Sequence, residues 1–178
     1  TASAPIQVLV LFRSLLDIAL LRLGPQDLPA SRFLLGLSLG GHALSVLLLS
    51  LAVHSFGTAF LAGIVDTAVL ALLTVSLLYA QRARERFTQT LSALSGTGAL
   101  LGFLALVPTW WWFLAERSGG DRSLPWLLLL LLVVWSLLVM GHVLRHALST
   151  SLAVGLAVAA VFYWVAISVR NHLFPLPS

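Results

Sequence analysis

The chain has 178 residues, of which 60% are hydrophobic and 9% charged, and its mean hydropathy is +1.03. An ordinary soluble domain is about 45–50% apolar and about 25% charged, so a water-coated globule is excluded, as is a disordered chain, and the lack of cysteine removes a disulfide scaffold. The formal charge of +4 comes from arginines scattered among apolar runs, with no lysine, a pattern that speaks for membrane orientation and against a nucleic-acid partner. The expected fold class is therefore an all-α integral membrane protein in one domain.

The start, Thr1-Ala2-Ser3-Ala4, has no basic segment ahead of an apolar core, so a processed or trimmed N-terminus is expected. Residues 6–23 follow as an amphipathic helix. At ~100° per residue its Gln7, Arg13, Ser14, Asp17 and Arg22 occupy about half of the circumference. That predicts a helix lying in the headgroup plane, with a sixth span from near Pro5 as the alternative. Arg13 and Asp17 have the i,i+4 spacing of an ion pair. Gly24-Pro25 stops the segment, and Ser31 is placed to cap the next helix.

A bilayer core of ~30 Å needs ~20 apolar helical residues, and five segments meet this at about 33–56, 57–80, 88–115, 125–148 and 151–174. The first carries Gly36 and Gly40 at helix-packing spacing and His42 near mid-depth, on one stripe with Ser38 and Ser45. The second carries Ala59, Gly63, Thr67 and Ala71 as a ladder of small residues, with Asp66 near mid-bilayer. A carboxylate there is costly, so it is read either as a hydrogen-bonded tie between helices or as a proton- or ion-handling group. His42 is its natural partner, although the two depths, ~15 Å and ~21 Å from the inner edge, need tilt or long side chains to meet.

The third span holds Gly98 and Gly102 at the same packing spacing, and Pro108, which should kink it or unwind its outer turn. The fourth holds His142 and His146 one turn apart. A metal there, or a haem between His42 and His142, lacks further ligands or matching depths, and neither metal nor cofactor is expected. Gly155 repeats the small-residue spacing on the fifth span. Arg170 and His172 near its end read as side chains reaching the interface.

With the N-terminus inside, arginines count seven inside against three outside, as the positive-inside rule demands. Arg82, Arg84 and Arg86 form the densest cluster, read as contact with anionic lipid or with a partner. Trp110, Trp111, Trp112 and Trp126 then fall at the outer interface. The C-terminus would lie outside, in the periplasm of a bacterium with the N-terminus in the cytoplasm, since arginine in place of every lysine hints at a GC-rich genome.

The run Trp135-Ser136-Leu137-Leu138-Val139-Met140-Gly141-His142, followed by Ser149-Thr150-Ser151-Leu152-Ala153, is similar to the Trp–Gly–small pattern of the last two helices in the Yip1-like family of five-span membrane proteins. Gly24-Pro25-Gln26-Asp27-Leu28-Pro29 stands in a different order from the Asp-Leu-Tyr-Gly-Pro segment of eukaryotic members, which serve vesicle trafficking and bind small GTPases, and that role is not carried over. The resemblance implies a non-enzymatic protein that works by associating with other membrane subunits or with itself. An accessory or scaffold subunit of an inner-membrane complex is thus the first expectation. A small transporter or proton-coupled channel built on Asp66 and His42 is the second, and a haem-binding electron carrier the third.

Overall fold

The computed structural model describes residues 4–175, and side chains from residue 10 onward. Residues 1–3, expected to be a trimmed start, lie outside the described residues, as does the side chain of Gln7. Among the described residues the regular structure is helical: α1 (Ala4–Ala19), α2 (Arg32–Ser50), α3 (Phe56–Ala80), α4 (Phe87–Ser118), α5 (Ser123–Leu148) and α6 (Leu152–Leu173). The last five are long and apolar enough to cross a membrane.

Local chemistry sets the helix ends. Ser31 accepts from the Leu34 N–H and Ser151 from the Val154 N–H, both at 3.4 Å, which caps α2 and α6. Asp121 accepts from the Ser123 N–H at 2.9 Å at the start of α5, and this bond holds its carboxyl below the usual carboxylate range. Four helices close through a left-handed residue: Leu21, Arg82, Gly119 and Ser149, with φ between 53° and 68°. In each case the following N–H bonds back five residues, as Arg22 does to the Asp17 carbonyl at 2.9 Å.

These turns correct three expectations. The first helix stops at Ala19, not at residue 23, because the chain reverses at Leu21. That reversal brings Arg22, and not Arg13, to Asp17 at 3.8 Å. The second element ends at Ser50, because two antiparallel helices cannot join without a turn and residues 51–55 supply it. Further along, α4 runs through a buried Pro108 without unwinding.

The five long helices alternate in direction. Around the bundle they stand in the order α3, α2, α4, α5, α6, with α6 returning to α3. α4 is the most enclosed, and residues 90–97 are all buried. Missing side chains let backbones approach. A Cβ on Gly63 would lie 2.6 Å from the Ala43 carbonyl oxygen, one on Gly102 2.6 Å from the Ser45 hydroxyl, and one on Gly155 would run into the carbonyl of Gly141. Gly36 and Gly40 behave differently, with nothing within 4 Å of a Cβ at either. The stripe of α2 that faces its neighbours is Leu34, Ser38, Gly41 and Ser45, and Gly36 and Gly40 fall on the other side, exposed beside Phe33, Leu37 and Leu44. The α2 approach to α4 uses Gly41 instead, 3.3 Å from the Ala99 methyl on this measure.

α1 lies against α4 and α5, with Leu15, Ile18 and Ala19 buried. Gly96 makes room there for Leu15 and for the Ser38 hydroxyl. The Trp135 indole donates to the Ala19 carbonyl at 2.9 Å. At ~1.5 Å per residue that contact is about 20 Å from the C-terminal end of α5, so α1 leans in to roughly the midpoint of the bundle. From there the chain descends to the end where the arginine cluster sits. Gln89 donates to the Leu28 carbonyl at 2.6 Å, and Arg86 donates to the Ala147 carbonyl at 3.0 Å and the Ser149 hydroxyl at 2.9 Å. These bonds tie the helices together at the arginine-rich end, around a polar cavity of about 300 Å³ lined by Pro25, Arg86, Gln89 and His146.

Packing at the glycines makes a graded prediction. Gly155→Val should cost about 1–3 kcal/mol through overpacking. Gly40→Ala should be neutral or gain up to about 1 kcal/mol from helix propensity. Thermal unfolding of the two variants in the same detergent checks the contrast.

Candidate functional site

The site begins with the α2–α3 contact. Gly63 lets α3 approach the Ala43 carbonyl, and Ala43 follows His42 while Asp66 lies one turn beyond Gly63. The two side chains then meet: His42 Nε2 is 3.2 Å from Asp66 Oδ2, with 13% and 15% of the side chains exposed. The depth mismatch read from sequence closes because α3 extends further than α2 at the arginine-rich end. With Asp66 ionised, Nε2 carries the proton and donates. Nδ1 faces α4, where a Cβ on Gly98 would lie only 2.9 Å away, and it is buried without a hydrogen-bond partner among the described residues.

Beside the pair is a cavity of about 280 Å³ enclosed by α2 through α6. Its walls are mainly leucine and valine, with Met140, Phe162 and Ile167. Its polar members are His42, Ser45, Asp66, Thr97, Ser136, Tyr163 and Arg170. Several hydroxyls are already committed. Ser45 donates to the His42 carbonyl at 2.8 Å, Thr97 to the Ala93 carbonyl at 2.7 Å, and Ser136 is bonded to the Tyr163 hydroxyl. The pair lines the cavity partway along its length, with Leu73, Leu94 and Met140 on the walls nearer the arginine-rich end. The space extends toward the end opposite the arginine cluster, past Ala105 and Leu129 to Arg170 on the last turn of α6.

Of the residues singled out from sequence, His42, Asp66, Gly98 and Gly102 come together here. His142 does not. It sits near the arginine-rich end, where its Nε2 donates to the Leu23 carbonyl at 2.9 Å and its ring meets His146 edge-on at 4.7 Å. Since His42 faces Asp66 and His142 faces Leu23, the two rings are not placed to share a haem. Among the described residues no group of three or more His, Asp or Glu is arranged to hold a metal ion. The arginine cluster divides its tasks: Arg86 ties α4 to the end of α5, Arg84 lies 3.7 Å over the Tyr79 ring, and Arg82 forms the left-handed turn after α3.

Sequence reading passed over Ser136, Tyr163 and Arg170 as site residues. A signal existed, because Tyr163 and Arg170 are seven apart on one helix face and Tyr163 lies one turn beyond Ala159, which follows Gly155 at the same four-residue spacing. Comparison of the chain with family models, with curated proteins and with solved structures gave no match.

His142→Ala removes the partner of the Leu23 carbonyl. It should lower stability by about 1–3 kcal/mol while leaving the ligand behaviour of the cavity unchanged. Unfolding curves read together with ligand-binding isotherms separate those two effects.

Proposed function

We propose that the chain is a small proton-linked transporter of a bacterial inner membrane, taking a solute into the cavity beside His42 and Asp66. The observation that carries this reading is the ionisable pair in the wall of a cavity that reaches toward the Arg170 end of five apolar helices. Ionisable groups at such depth are expensive, and in a water-reaching cavity they serve ion or proton handling. The arginine distribution supports a cytoplasmic N-terminus and a periplasmic C-terminus, which makes the cavity face the periplasm. No chemical transformation is part of the reading. Among the described residues the cavity's serine hydroxyls bond elsewhere than to the imidazole, Ser136 to Tyr163 and Ser45 to the His42 carbonyl.

A second reading, an accessory subunit, draws on a different face. Phe33, Gly36, Leu37, Gly40 and Leu44 leave an exposed stripe on α2 with small residues at the spacing that lets another membrane helix approach. The helix count and the preceding α1 support the Yip1-like layout in which such association is the activity. Here Gly36→Leu combined with Gly40→Leu should release co-purifying membrane subunits or a second copy in mild detergent. A single chain surrounded by lipid in both proteins removes this reading.

Transport is tested in vesicles containing the purified chain and a trapped pH dye. Under an inward proton gradient, amino acids, sugars, amines and carboxylates are each offered outside. Wild-type protein should take up at least one class with a dye response, and Asp66→Asn should abolish it while the protein still assembles and melts normally. Uptake that survives Asp66→Asn, or no uptake of any class, defeats the transporter reading.

A further inference from the structure

The charge inventory of the cavity points to what it takes, given the transport reading above. Four titratable side chains line it: His42 from α2, Asp66 from α3, and Tyr163 and Arg170 from α6. α4 and α5 contribute none to its walls. Asp66 is answered by His42. Arg170 has no acidic partner among the ion pairs of the described residues, and it stands at the open end. With imidazole and phenol neutral, the carboxylate and the guanidinium make the cavity formally neutral. A monoanion entering alone leaves it at minus one. A proton entering alone on the pair leaves it at plus one. Both entering together restore neutrality, and a net charge in a low-dielectric space is the costly state.

The geometry fits that balance. A guanidinium offers two parallel N–H donors that match a carboxylate. Placed at the mouth without a counter-charge, Arg170 also draws anions from the aqueous side. Below it the walls are apolar, with Leu70, Met140, Phe162 and Ile167 among them, so the body of the ligand must be hydrocarbon. Tyr163 also lines this space, with its hydroxyl bonded to Ser136.

We propose that the cavity binds a small monoanionic amphiphile, its carboxylate held by Arg170 and its apolar body against the walls, together with one proton on the His42–Asp66 pair. Movement of the two together transfers no net charge.

The test uses the full chain in lipid nanodiscs and three eight-carbon probes: octanoate, octanol and octylammonium. Calorimetry in buffers of different ionisation enthalpy counts protons. Octanoate should bind at least about tenfold more tightly than either other probe, the preference expected for a charge-assisted pair, with uptake of one proton. Arg170→Gln should erase the preference, Arg170→Lys should restore part of it, and Asp66→Asn should abolish the proton uptake. Palmitate placed in the disc membrane distinguishes the sources. Displacement of octanoate by palmitate assigns the anion to the bilayer, and lack of displacement assigns it to solution; both retain the charge rule. Octanol or octylammonium binding as tightly as octanoate, or octanoate binding without a proton, overturns the proposal and leaves the cavity as a solute site. Binding of none of the three overturns the proposal, while the transport reading stands or falls on the uptake assay.

Discussion

A carboxylate set halfway along apolar helices has to be answered by the protein itself, and His42 is the answer to Asp66. Burial without a partner penalises either group heavily, and together they satisfy one another. Much follows from that one contact. It fixes the register of α2 against α3, and it requires the backbones to come as close as the bare Gly63 allows. It also leaves the far ring nitrogen of His42 pressed toward Gly98, so α4 must present no side chain there. Glycines on α3 and α4 thus serve the placement of a single imidazole.

The rest of the bundle is asymmetric along its length. From the midpoint to the arginine-rich end, α1 and the link after it pack against α4 and α5, with Trp135 donating to a backbone carbonyl at mid-depth and His142, Gln89 and Arg86 nearer that end. Carbonyls at helix ends and in turns have no partner within their own helix, and each of these bonds removes one such liability. At the opposite end, among the described residues, no such side-chain-to-backbone bonds join the helices around the cavity, and Arg170 lies in its wall. One end carries polar ties around a polar cavity lined by Arg86, Gln89 and His146, and the other holds an apolar space with a guanidinium in its wall.

Much of this was legible in the sequence. Five runs of apolar residues at membrane length announced the five long helices, and Ser31 announced the start of α2. Asp66 and His42 stood out because ionisable groups are rare in such runs. What escaped depended on rotation and on turns. Gly36 and Gly40 have the packing spacing, but spacing alone does not say which face of α2 meets α4, and Gly41 carries that contact. Leu21 adopts a left-handed turn that usually signals itself by glycine, so the end of α1 and the Asp17–Arg22 pair were hidden. Ser136, Tyr163 and Arg170 belong to the cavity because α5 and α6 turn those faces inward, and the shared face of Tyr163 and Arg170 does not by itself fix that rotation.

The central claim is that water reaches the middle of the bundle through the cavity while the outer faces of the helices meet hydrocarbon. The chain has no cysteine, so single replacements report cleanly on access. Ala105→Cys and Ala166→Cys place a thiol on the cavity walls, and Leu72→Cys places one on an outward face that is 62% exposed. In sealed lipid vesicles a membrane-impermeant thiol reagent should modify the first two from one side only and leave the third untouched. Equal reaction of all three, or silence at both cavity positions, would contradict the claim.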